Sequence, residues 1–376
     1  MSSCKKPDPE QSVAQDQNDM LLVVGTYTTT LPHVAGRGAG IQLLGFNSRT
    51  GSISDGPAFG GITNPTWLTV SRDARRLYSV QECAEDDGAA IDCFALDTQA
   101  RNLTHLASVP SQGSWPCHLS LDNAEQQLFV ANYVSGRFAT IRLDADRVPT
   151  RQVKVIQHEG SSVNPERQEG PHLHQAVPTP DGRRVIVCDA GLDRLIRYPL
   201  TEDGIAPTPD LSLDTEPGSF PRHLAFLPDG SGFLVIHELA NTVVSYDMAG
   251  DAITRCGSLS ILPQAWTGTS SAAAVHIHPS GRFAYASNRG HDSLCAIDLR
   301  DSLERLSVIG WYSACGKAPR DFAIDPAGRF LIVATQDSDN LAVYEINSET
   351  GELFLVTERY SIGTPVCLVF VNRKSL

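Results

Sequence analysis

The chain has no apolar run approaching the roughly 18 residues of a membrane-spanning helix. Its first twenty residues, MSSCKKPDPEQSVAQDQNDM, lack the apolar stretch of a secretory signal. Residues 1–19 read as a polar, disordered tail, and the expected compartment is the cytoplasm. Positive charge is also short. Lys and Arg number 30 against 43 Asp and Glu, a net charge of −13. A chain this acidic has no general attraction for nucleic acid or for an anionic membrane surface. Cysteine pairs are missing too: the nine cysteines, at 4, 83, 93, 117, 188, 256, 295, 315 and 367, form no CxxC. An odd, scattered set speaks against both a zinc site and a disulfide framework. Several stand inside apolar strand patterns, as in VIVCDA and SLCAIDL, where a reduced thiol acts as a small hydrophobe. Nucleophile elbow, phosphate loop and HExxH motifs are absent; HELAN at 237–241 lacks a second histidine.

What the chain does have is a repeat. Its 376 residues suggest two or three domains on length alone, and a 41 % hydrophobic content can build a sizeable core. Six segments share one layout, beginning at NPTWLTV, PCHLSLD, PHLHQAV, PRHLAFL, AAVHIHP and PRDFAID. In each, a short apolar strand leads to a tight turn, often PDGR or PSGR. There proline presets φ and glycine accepts a positive one. A second strand follows (QQLFVANY, RRVIVCDA, RFLIVATQ), then a third (GRFATIRLD, NTVVSYDM), then a weaker fourth. Strand alternation outnumbers any helical period. Four strands repeated at about fifty residues are the pattern of a β-propeller. The ends of the chain supply a seventh unit, with TPVCLVFVN (364–372) as first strand, LLVVGTYT (21–28) as second and GIQLLGFN (40–47) as third. The expectation is therefore one all-β domain over 20–376. It is a seven-bladed propeller of four-stranded antiparallel blades, closed by pairing the N- and C-terminal strands, which removes open sheet edges.

This topology sorts the polar residues. The start of each first strand lies beside the end of the second, on the face opposite the PDGR turns. Trp67, His118, His172, His174, Arg222 and Arg320 stand near first-strand starts; Glu82, Asn132, Asp189, Glu238, Arg289 and Gln336 stand at second-strand ends. All are expected to converge on the mouth of the central channel. The connection 158–174, HEGSSVNPERQEGPHLH, is much longer than the usual 4–6 residues and brings Arg167 to the same face. Polar strand ends also serve to bond neighbouring blades, and His172-x-His174 is a metal pair only if further ligands join it. His276-x-His278 reads as structural, because His278 precedes the turn residue Pro279. Arginines gathered in an acidic protein point to a small anionic ligand. Arg222 and Glu238 should lie side by side at the channel mouth. The His, Arg and carboxylate composition suits water activation or proton transfer beside a bound carboxylate or phosphate.

In NPERQEGPHLH (164–174), DAGLDR, PRHLAF (221–226), HEL (237–239), SNRGHDSL (287–294), APRDF (318–322) and VANYVSG (130–136), the chain resembles the seven-bladed propeller lactonase family. That family includes bacterial 6-phosphogluconolactonase and fungal carboxy-cis,cis-muconate cyclase. The resemblance implies catalytic roles for His172 or His174, Arg222, Glu238 and Arg289. Arg167, Arg320, His118, Glu82 and Asn132 are the accompanying candidates for substrate binding. It implies hydrolysis of a lactone, most directly 6-phosphoglucono-1,5-lactone of the pentose phosphate pathway, with Glu238 or a histidine as base and with neither metal nor organic cofactor. A muconate-lactonising enzyme and a non-catalytic binding scaffold are the alternatives. Calcium would need Glu82, Asn132, Asp189 and Glu238 as ligands, and the interleaved Arg222 and Arg289 oppose it. Two positions depart from the family pattern: His237 replaces an asparagine, and Ala274 stands where an acidic residue is common.

Overall fold

Second strands such as Gln127–Asn132 and Phe330–Thr335 are buried at every position, so neither face of the sheet is left to water there. Fourth strands such as Pro149–Gln157 and Leu353–Ser361 are largely exposed. A sheet covered on both faces at its centre and exposed at one edge is a blade packed between two others. The computed structural model describes residues 19–201 and 204–373. Within them seven antiparallel sheets follow one another along the chain. The tail expected over 1–19 lies outside the described residues except for Asp19. The first blade is composite: Pro365–Asn372 is its inner strand and pairs along the whole of Met20–Thr26, from Met20 opposite Asn372 to Thr26 opposite Pro365. Ile41–Phe46 continues the sheet outward. Thr30–Leu31 and Val34–Ala35 form a small separate hairpin between these two strands.

One irregularity recurs at the same place in nearly every blade. The inner strand carries an extra residue one position after it begins. In the third blade Pro116 faces Asn132 and His118 faces Ala131, leaving Cys117 unpaired. The same register shift isolates His174, Arg222 and Arg320 in the fourth, fifth and seventh blades. In the composite blade it isolates Val366. The sixth blade skips two residues, Ala273 and Ala274. A bulge re-aims the unpaired side chain and twists the strand. Here it does so at the channel end of each strand.

Second strands obey an equally strict register. Asn132, His237 and Asn288 are equivalent, each facing the residue just before the inner-strand bulge. Asn132 donates Nδ2–H to Ser111 O at 3.0 Å and Asn288 donates to Ile261 O at 2.9 Å, tying each blade to the connection that enters it. His237 is buried and, among the described residues, neither ring nitrogen has a partner. An orphaned buried polar group costs about 1–3 kcal/mol. His237→Asn should therefore raise stability by about 1 kcal/mol or more, read as a higher midpoint in urea denaturation at unchanged slope. Deleting residues 363–376 should have the opposite effect. It bares one side of Met20–Thr26, buried throughout, and the truncated chain should be insoluble or lose its cooperative thermal transition.

Candidate active site

The bulges and the residues that follow the second strands meet at the channel mouth around a cavity of about 600 Å³. From the bulges come Cys117, His174 and Arg320, and from the second-strand ends Glu82, Tyr133, Glu238 and Arg289. Arg167 arrives on the long connection, and Pro32 and His33 on the small hairpin. Arg222 lies deeper, on the floor, with Thr66, Trp67 and His223. A groove of about 800 Å³ on the turn-bearing face is lined by Asp229, Asp247 and Glu304 and by no basic residue, so it offers an anion no cation.

The long connection is held by two aspartates of the DAGLDR segment. Asp189 accepts from the His172 backbone at 2.9 Å and lies 2.7 Å from His158 Nδ1, while Tyr198 bonds the other His158 nitrogen at 2.9 Å. Asp193 accepts from Ser162 Oγ at 2.6 Å and from the backbone of Gly218 and Phe220 at 2.6 and 2.8 Å. Gly191 lets the connection pass, since a Cβ there would collide with the Gly170 carbonyl. Arg167 is thus laid over the Phe220 ring, 4.7 Å from its centroid, and reaches Glu238.

Glu238 is the electrostatic centre. Its Oε1 accepts from Arg167 Nη2 at 3.0 Å, and its Oε2 is 3.0 Å from Arg289 Nη2 and 3.1 Å from Arg222 Nε. The Arg222 contact is a charge pair without hydrogen-bond alignment. Burial alone would raise the Glu238 pKa; Arg289, Arg222 and Arg167 outweigh it and hold the carboxyl far below its usual range. Burial, then Arg289 and Arg320, push the Arg222 guanidinium down. Arg320 differs from the other three. It stacks on Tyr27, 5.4 Å from the ring centroid, and among the described residues has neither hydrogen bond nor ion pair. Burial works against its charge, but Tyr27, Glu82 and Glu238 keep it a cation. Glu82 accepts from Tyr27 Oη at 2.9 Å and from Thr66 Oγ1. Four guanidiniums against two carboxylates leave the cavity positive inside an acidic protein.

The expected convergence holds for Glu82, Arg167, His174, Glu238, Arg289 and Arg320, which line the cavity, and for Arg222, which is on its floor rather than at its mouth. Five candidates need correction. Asn132 and Asp189 stand outside the cavity lining, to which Tyr133 contributes instead of Asn132, and both make blade-tying bonds. His172 is stacked on Tyr133, with Nδ1 3.1 Å from Tyr133 O and Nε2 3.1 Å from Glu169 Oε1, so neither nitrogen is left for ligand or metal. His118 lies below the cavity against Trp67, ring centroids 4.5 Å apart. Gln336 bonds Asp337 instead of facing the cavity. His278, read as structural, bonds Ser280 Oγ and Gly328 O beside its turn. Among the described residues no group of three His, Cys, Asp or Glu could hold a metal ion. Tyr133, His223, Trp115 and His33 were not anticipated. Tyr133 and His223 are the neighbours of Asn132 and Arg222 in VANY and PRH, so a one-residue register shift would have found both.

The comparisons agree with this architecture. Residues 21–370 match the family described as Lactonase, 7-bladed beta-propeller. The chain belongs to that family. It is 32 % identical to the 6-phosphogluconolactonase of Bacillus subtilis over 352 residues, 93 % of this chain and 98 % of that one. It superposes on the periplasmic gluconolactonase of Pseudomonas aeruginosa with a TM-score of 0.85 at 29 % identity, over 94 % of this chain and 99 % of that one. A Bacteroides fragilis crystal structure gives 0.86 at 29 % identity, over 97 % and 100 %.

Because Glu238 neutralises cations from three segments, Glu238→Gln should cost about 3–5 kcal/mol of folding stability, the usual result of breaking a buried pair from one side. Urea denaturation measures it. Inorganic phosphate should restore more stability to the variant than it adds to the wild type.

Proposed function

We propose that the protein is a lactone hydrolase acting on 6-phosphoglucono-1,5-lactone, which it opens to 6-phosphogluconate in the pentose phosphate pathway. The observation that carries this reading is the uneven charge of the cavity. Arg167, Arg222 and Arg289 surround the single carboxylate of Glu238, a surplus of two positive charges that matches a phosphate dianion. Arg320 and Glu82 form a second, balanced group whose hydrogen-bonding capacity is unspent toward one another. The Bacillus relative bearing the 6-phosphogluconolactonase name supports the same substrate.

In this scheme the phosphate rests on the unused N–H groups of the three clamped arginines. Hydrogen bonds to charged groups contribute about 1.5–3 kcal/mol each, so three suffice for roughly micromolar binding. The lactone carbonyl lies toward Arg320. Glu82 takes a proton from water as the water oxygen bonds to the carbonyl carbon, and Arg320 stabilises the resulting oxyanion. Collapse breaks the bond between that carbon and the ring oxygen, which receives the proton. Glu238 is the weaker choice of base, because three arginines hold its basicity down. The chemistry needs neither metal nor organic cofactor. A cytoplasmic setting fits the eight described cysteines, all free thiols. No helix among the described residues is long and apolar enough to cross a membrane.

A pH-stat assay with freshly prepared phospholactone should show hydrolysis well above spontaneous opening. Glu82→Gln should lower kcat by about 10²-fold or more with KM little changed. Arg289→Ala should chiefly raise KM. Absence of acceleration by the wild type would overturn the substrate, and near-native kcat in Glu82→Gln would overturn the base.

A further inference from the structure

Under the cavity floor lies a cluster of imidazoles that the scheme above does not use. His174 lines the cavity, and its Nδ1 is 3.2 Å from His223 Nε2, which leaves its Nε2 as the ring nitrogen without a partner among the described residues. His223 is itself buried, 3 % exposed, and wedged between the rings of His174 and Trp67, 4.9 and 5.2 Å away. Arg222 Nη1 lies 3.5 Å from His223 Nδ1 and 3.4 Å from its Nε2. That same Nη1 donates to Ala273 O at 2.5 Å.

These contacts decide where the protons are. A guanidinium has donors only. Of the atoms bonded to the His223 ring among the described residues, His174 Nδ1 is therefore the only possible acceptor. Burial, together with the adjacent Arg222 cation, keeps both imidazoles neutral, one N–H each. Arg222 Nη1 is nearly equidistant from the two ring nitrogens, so the acceptor decides: a His223 proton on Nδ1 would find none among the described residues. On Nε2 it is donated to His174 Nδ1. A bare His174 Nδ1 obliges His174 to carry its own proton on Nε2, the nitrogen left for a ligand in the cavity that His174 lines.

We infer that His223 is a positioning residue that fixes His174 as the Nε2–H tautomer, so that His174 offers a ligand oxygen a hydrogen-bond donor and not a base. This rests on the lactonase reading for its catalytic meaning: the donor would assist Arg320 at the oxyanion. The tautomer itself does not depend on that reading.

The test follows that separation. In protein labelled with 15N-histidine, the His174 resonances, assigned by their loss in His174→Gln, should show a protonated Nε2 and an unprotonated Nδ1 at neutral pH. A protonated Nδ1 overturns the inference whatever the enzyme's substrate proves to be. His223→Gln retains a side-chain N–H and should preserve the His174 tautomer and most of kcat. His223→Phe keeps a ring but no donor; it should leave His174 as a mixture of tautomers and lower kcat by up to about 10²-fold at similar KM. Should His223→Phe fail to fold, the wild-type spectrum and His223→Gln still decide. An unchanged His174 spectrum in a folded His223→Phe protein would also overturn it. Lack of phospholactone hydrolysis by the wild type, with the expected tautomer present, would strike the function and leave the tautomer standing.

Discussion

A single extra residue near the start of the inner strand, repeated around the ring, is the constraint from which the rest of the site follows. Without the bulge, inner-strand side chains would alternate between the two faces of each blade and meet only apolar neighbours. With it, one side chain in each of five blades is released from the pleat at the channel end of the strand. Propeller geometry brings those positions together from sequence separations of hundreds of residues. The chemistry of the mouth is then set by which residue each bulge holds: valine in the composite blade, then cysteine, histidine and two arginines. Catalytic identity can change at these positions while the packed blades stay the same.

Gathering cations this way is costly, and Glu238 makes it tolerable. Arg222 is fully buried, and the repulsion of Arg289 and Arg320 adds to its desolvation. One carboxylate shared by three guanidiniums offsets that penalty incompletely, and the proposed anionic substrate would offset the rest. The closure of the ring belongs to the same account. Arg320 of the seventh blade stacks on Tyr27 of the first, and Tyr27 bonds Glu82 of the second. This chain of contacts crosses the junction where the C-terminal strand completes the composite blade. The strand that seals the propeller therefore also sets the spacing between the cation and the carboxylate proposed to act on the carbonyl.

Most of the fold was legible because it rests on local signals: Pro-x-Gly turns, strand alternation and a period near fifty residues. The terminal strand pairing was legible because an incomplete blade at each end leaves only one way to close. The site was legible by sector and less so by residue. At second-strand ends the side chain switches faces with each step, and no periodicity separates Asn132 from Tyr133 or Asp189 from Ala190. The inner strands carry a partial signal, in that proline immediately precedes the bulge residue in Pro116–Cys117, Pro221–Arg222, Pro319–Arg320 and Pro365–Val366. In the fourth blade that signal misleads. Pro171 precedes His172, but Leu173 takes the place opposite Asp189 and the bulge falls on His174. The choice between the two histidines depended on that two-residue offset. The role of Glu238 was hidden for another reason. A carboxylate is a base or an anchor according to how many cations reach it, and that number is a property of the assembled ring.

The two departures from the family pattern act on different levels. His237 occupies a blade-tying position and loses the bond that Asn132 and Asn288 make, which bears on stability and leaves the cavity lining untouched. Ala274 belongs to the two-residue bulge of the sixth blade and is buried against Phe283 and Tyr285. It is next to Ala273, whose carbonyl receives Arg222 Nη1. An acid at position 274 would bring a carboxylate into this apolar cluster between blades, where burial without a partner is costly. Arg222 relies on the Ala273 carbonyl and on Glu238. Alanine at 274 therefore keeps this packing between blades apolar, while the charge of the floor is set by Arg222 and Glu238.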